Sequence, residues 1–104
     1  MIKFLIFSAA LAIGAGAHAA DPAAGKEKAK VCAACHGENG VSQAPDFPKL
    51  AGQHNDYLMR ALNDYKSGAR KNSIMAGQVA NLKKEDIADL AAYFSGQQAL
   101  VIKY

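Results

Sequence analysis

Cys32-Ala33-Ala34-Cys35-His36 places two thiols and an imidazole within one short run, and these are the chain's 2 cysteines among 104 residues. On a helical turn of about 100° per residue, Cys32 and Cys35 lie about 60° apart around the axis, and His36 falls inside the same arc. All three side chains therefore point to one side. C-x-x-C-H is the spacing of covalent haem attachment. Two thiols reach the two vinyl groups and form thioethers, while the imidazole reaches the iron.

Other uses of the same residues fit less well. A thioredoxin-like dithiol needs a βαβ setting, and no alternating strand pattern occurs in this sequence. A structural zinc site needs four ligands, but only Cys32, Cys35, His36 and His54 are on offer, and adjacent Cys35 and His36 are poorly placed to bind one ion. A disulfide across so short a loop would remove little chain entropy.

An iron held by one histidine needs a second axial ligand, and the candidates are His54, Met59 and Met75. Met59 lies about 130° from the centre of the apolar face of its helix, so it is expected to point away from the core. His54 stands among polar residues at a helix start, the usual place of a solvated histidine. Met75 sits in the segment Lys71-Asn72-Ser73-Ile74-Met75-Ala76-Gly77. That segment reads as a loop able to wrap to the far side of the haem. Met75 is the expected ligand.

Three helices and two long loops must position these groups. The first helix is expected from Pro22 to Cys35, with Asp21 as N-cap and Pro22 at the favoured first position. It puts Gly25, Ala29 and Cys32 on one face and Lys26 and Lys30 opposite. An inner-face glycine, unfavourable in a helix by about 1 kcal/mol, makes sense where another helix crosses closely. The second helix is expected from Asn55 to Ser67, ended by Gly68, with Tyr57, Leu58, Ala61, Leu62 and Tyr65 on its apolar face. The third is expected from Lys84 to Gln97. It buries Ile87, Leu90, Ala91 and Phe94, with Tyr93 flanking them and Glu85 and Asp89 opposite. Residues 37–54 and 68–83 are rich in Gly, Pro, Asn and Ser and read as loops. Loops this long in a small domain are usually functional.

The totals set further bounds. Lys and Arg number 12 against 9 Asp and Glu, too mild an excess for a nucleic-acid surface. Residues 1–19 read as an export signal: Lys3, an apolar run from Phe4 to Ala17, and an A-x-A site at Ala17-His18-Ala19, with cleavage after Ala19 or Ala20. The run is shorter than the roughly 20 residues of a membrane span. Residues 20–104 then form a single domain in an oxidising compartment. So small a chain buries little apolar surface and often needs a staple. The haem would supply that core.

The chain resembles the small soluble class I cytochromes c of bacterial periplasms, a group that includes single-haem proteins and the halves of two-haem ones. The resemblance runs through Ala24-Gly25-Lys26, the Cys32 to Gly37 motif, Phe47-Pro48-Lys49-Leu50-Ala51-Gly52-Gln53, Tyr57-Leu58, Gly68-Ala69-Arg70, Met75, and Asp86 to Phe94. It implies an all-α class I cytochrome c fold, three main helices plus haem-wrapping loops, in which the first and last helices cross. It also implies that the Pro48 carbonyl bonds the far nitrogen of His36 and that Leu50 packs on the haem. Tyr57 joins the pocket, and Arg70 binds a haem propionate. Two departures are visible. Lys83 stands where the family has Ser or Thr before the third helix, leaving that helix without its usual cap unless Asn81 serves, and the tail from Gln98 to Tyr104 is long.

One haem c held by Cys32 and Cys35, with His36 and Met75 as axial ligands, has no open position for a substrate. The expected function is one-electron transfer between redox protein partners in the periplasm, by a monomer and not an enzyme. Membrane complexes could be among its partners. Other readings are a ligand-binding haem sensor, in which Met75 swings away, and a dedicated subunit of a redox enzyme. Lys26, Lys28, Lys30, Lys49, Lys71, Lys83 and Lys84 are candidates for steering acidic partners.

Overall fold

The computed structural model describes residues 19–97; residues 1–18, which hold most of the expected export signal, and the 98–104 tail lie outside them. Helix α1 (Pro22–Lys28) starts as the sequence predicts. The Asp21 carboxylate accepts the Ala23 N–H at 2.9 Å, and Pro22 takes a position where no N–H is needed. The helix does not run unbroken to Cys35. A 3₁₀ turn occupies Ala29–Val31, and a fresh helical turn, α2 (Ala33–His36), carries the motif. A 3₁₀ turn advances only about 20° more per residue than an α-helix, too little for side-chain periodicity to register over so short a stretch. The break precedes Cys32, so Cys32, Cys35 and His36 still share one helical turn.

Helix α3 (Asn55–Ser67) has its expected bounds and ends at Gly68. The segment after it, expected to be all loop, contains α4 (Ser73–Val79). The Asn72 side-chain oxygen caps this helix by accepting the N–H groups of Ile74 and Met75, each at 3.0 Å. Helix α5 (Lys84–Ser95) stops short of the expected Gln97. Neither Lys83 nor Asn81 caps it through a side chain. Instead the Asp86 carboxylate reaches back to accept the Lys83 N–H at 2.8 Å, satisfying one donor at the helix start. No strand occurs among the described residues.

Helix α1 crosses α5, and α3 packs on both α4 and α5. Ala29, Leu58, Leu90, Ala91, Tyr93 and Phe94 form the central cluster. The crossing depends on Gly25. A Cβ there would lie 2.0 Å from the Asp89 carbonyl oxygen and 2.8 Å from Tyr93 Cβ, so the two backbones touch only because it is absent. Asp89, expected on the solvent side, is 1% exposed because α1 lies across it. Its Oδ1 accepts the Asp21 N–H at 2.8 Å, and its Oδ2 pairs with Lys28 Nζ at 2.6 Å. Lys28 also reaches Asp86 at 2.8 Å.

The 37–54 loop is fastened along its length. The Gly40 carbonyl accepts the Leu50 and Ala51 N–H groups at 2.8 and 3.1 Å, and Gly52 N–H donates to the Phe94 carbonyl at 3.0 Å. Gly40 itself has φ +83°, and a Cβ there would sit 2.8 Å from Ala51 N and from Phe94 Cδ1. Tyr93 adds a hydrogen bond from its hydroxyl to the Glu38 carbonyl at 3.0 Å.

Candidate haem-attachment site

The turn at α2 is closed by the N–H groups of Cys35 and His36, which both donate to the Cys32 carbonyl, at 3.2 and 2.9 Å. Cys32 and Cys35 are free and half-buried. Cys32 also packs against the central cluster. That burial, with Cys35 beside it, pushes the Cys32 thiol up.

His36 ends α2 and is buried, with its Nδ1 2.7 Å from the Pro48 carbonyl oxygen. A carbonyl only accepts, so this bond places the proton on Nδ1 and leaves the Nε2 lone pair as a metal donor. The contact is the one the family resemblance implies. Phe47, next to Pro48, meets the imidazole edge-on, with centroids 6.4 Å apart and planes at 68°. Sequence reasoning assigned Phe47 no role; its adjacency to Pro48 was the available hint.

The remaining candidates fall into place less uniformly. Met75 is half-buried and lies in α4 rather than in a loop, held in the first turn by its N–H bond to Asn72. Met59 is half-buried and packs against the central cluster, contrary to its expected outward direction. His54 stands exposed at the start of α3 and makes no capping hydrogen bond. Leu50 packs on the central cluster. Tyr57, expected on the apolar face, is 51% exposed. Its hydroxyl accepts from Arg70 Nη1 at 3.4 Å, while the Arg70 guanidinium carbon sits 4.8 Å from the Tyr65 ring centre. Two of the expected pocket residues, Tyr57 and Arg70, therefore meet each other, with Tyr65 as a third member that the sequence reading placed only in the apolar face. Among the candidate steering lysines, Lys28 is engaged by Asp86 and Asp89, and Lys30 pairs with Glu27 at 2.8 Å.

This donor set fits a covalent haem. Two thiols lie on the same turn as an imidazole whose Nδ1 is taken by a carbonyl, and a methionine lies on a separate element. Among the described residues, no three His, Cys, Asp or Glu side chains gather in a way that would hold a metal ion directly.

Comparison with known proteins agrees. Residues 22–98 match the family model described as Cytochrome c. Over 86 residues the chain is 54% identical to cytochrome c4 of Pseudomonas aeruginosa, a match covering 82% of this chain and 43% of that protein. Cytochrome c-554(548) of Halomonas halodenitrificans is 43% identical over 83 residues, covering 77% of this chain and 100% of the relative. The crystal structure of reduced recombinant cytochrome c4 from Pseudomonas stutzeri aligns with a TM-score of 0.76 at 46% identity, covering 80% of this chain and 48% of that one. The chain belongs to the cytochrome c family and has its all-α class I fold. It is a c-type cytochrome with one covalently bound haem c. It spans less than half the length of these two cytochrome c4 relatives.

Proposed function

We propose that this chain is a periplasmic one-electron carrier, a monomer that shuttles between redox protein partners and is not an enzyme. The observation that carries the reading is the His36 Nδ1 bond to the Pro48 carbonyl, which presents Nε2 as a permanent, oriented donor. When bound, the haem supplies an iron that exchanges one electron, and thioether ligation shifts it toward Fe(II). Cys32 and Cys35 tether the group through thioethers. His36 and Met75 would be its two protein ligands, which would leave the iron no open position for a substrate. Lys3, the apolar run and Ala17-His18-Ala19 support export, with cleavage after Ala19 or Ala20 and a single domain thereafter. The half-buried setting of Met75 and its Asn72 cap favour a fixed methionine over the mobile one a ligand sensor needs.

The test is an oxidised-state spectrum of the haem-loaded protein and of Met75→Ala. The wild type should show the methionine-to-iron charge-transfer band at neutral pH and refuse added imidazole. Met75→Ala should lose the band and bind imidazole readily. A wild type without the band would overturn the carrier reading with Met75 as ligand.

A further inference from the structure

The imidazole turns about its own Cβ–Cγ bond, and the hydrogen bond to Pro48 restrains that rotation at one edge of the ring. A contact elsewhere on the ring narrows the rotation further. Phe47 makes that second contact, with ring centroids 6.4 Å apart and planes at 68°, inside the range of favourable edge-on aromatic pairs. Two consecutive residues thus constrain the ring at two different places. We propose that Phe47 is a positioning residue that fixes the plane of the His36 imidazole, and so the orientation in which Nε2 meets the iron. This rests on the reading of His36 as the axial ligand.

The backbone around Phe47 is built to hold such a contact. Phe47 N–H donates to the Ala44 carbonyl at 3.2 Å, closing a turn. The Ser42 hydroxyl donates to that same carbonyl at 2.9 Å and accepts the Ala44 N–H at 3.2 Å. Pro45 and Pro48 flank the aromatic and fix φ at two positions. Beyond them, the Gly40 carbonyl and the Phe94 carbonyl anchor Leu50, Ala51 and Gly52. The aromatic stands on a short, stiff bracket, so its position constrains the imidazole rather than following it.

Phe47→Leu keeps an apolar side chain of similar bulk but removes the aromatic edge, and Phe47→Tyr keeps the ring. In the haem-loaded protein, NMR would follow deuterium exchange of the His36 Nδ1–H beside that of the Leu90 and Ala91 amides in α5. Electron paramagnetic resonance of the oxidised form would report the ring plane through the g-values. For Phe47→Leu the His36 exchange should rise about fivefold relative to the α5 amides, the size expected for one lost aromatic pair. The g-values should shift, and Phe47→Tyr should restore both. If Phe47→Leu leaves the g-values unchanged, or its His36 exchange rises only in step with the α5 amides, the proposal fails. A wild type that lacks a histidine-ligated low-spin signal would instead sink the ligand reading on which it rests.

Discussion

At the scale of single residues, the candidate ligands are held by close neighbours. His36 has Pro48 and Phe47, and Met75 has Asn72. Asn72 is the less obvious of these, because a cap is usually counted as helix stability. Here the capped helix carries a candidate ligand in its first turn. Asn72→Ala should cost α4 about 1 kcal/mol. The expected outcome is that the charge-transfer band disappears at a lower temperature than in the wild type while the haem stays covalently bound. Absorbance during a thermal scan, followed by a haem-stained denaturing gel, would check both halves.

At the scale of elements, the decisive packing is α1 against α5. Gly25→Ala would drive a methyl into the Asp89 backbone and should destabilise the fold by about 3 kcal/mol or more, read as a lowered denaturant midpoint at constant slope. The Gly25 crossing was legible in the sequence, since a glycine on the inner face of an amphipathic helix marks a close backbone approach. The motif and the bounds of α3 were equally readable, because residue spacing and an end glycine encode them locally. Other features were not. Helix α4 is short and contains Gly77, so its apolar pattern is weak, and only Asn72 ahead of Ser73 marks its start. Asp89 looked solvent-facing because its burial is imposed by α1, far away in sequence. The outward direction expected for Met59 failed for a related reason: it was judged from its own helix alone, whereas packing in the cluster decides it.

For the whole molecule, the ion pairs across that crossing set a pH response. Lys28 holds the Asp86 carboxyl below its usual range, with the Lys83 N–H adding to the effect, and the carboxylates of Asp86 and Asp89 push the Lys28 ammonium up. A depressed carboxyl contributes stability above its unfolded pKa of about 3.9 and loses it as pH falls through the lower folded value. A raised lysine contributes below about 10.4 and loses it as pH climbs through the higher folded value. The window between is where both act. Lys28 and Asp86 are solvated enough for the gain to be modest and to shrink with salt. Denaturant titrations across acid pH should show the wild type and Asp86→Asn converging as the wild type loses its advantage, with the gap narrower in high salt.

The bonds from Asp21 and Lys28 to Asp89 also have a consequence in time. They join residues 68 and 61 positions apart, so they form only once almost the whole domain is available. In a chain synthesised amino end first, Cys32, Cys35 and His36 arrive well before α5 does. Until then α1 has no surface to lie on, and the Cys32 thiol that later packs into the core stands open. The late closure of the crossing leaves an interval in which the attachment turn is open, and the last helix ends that interval by packing over Cys32.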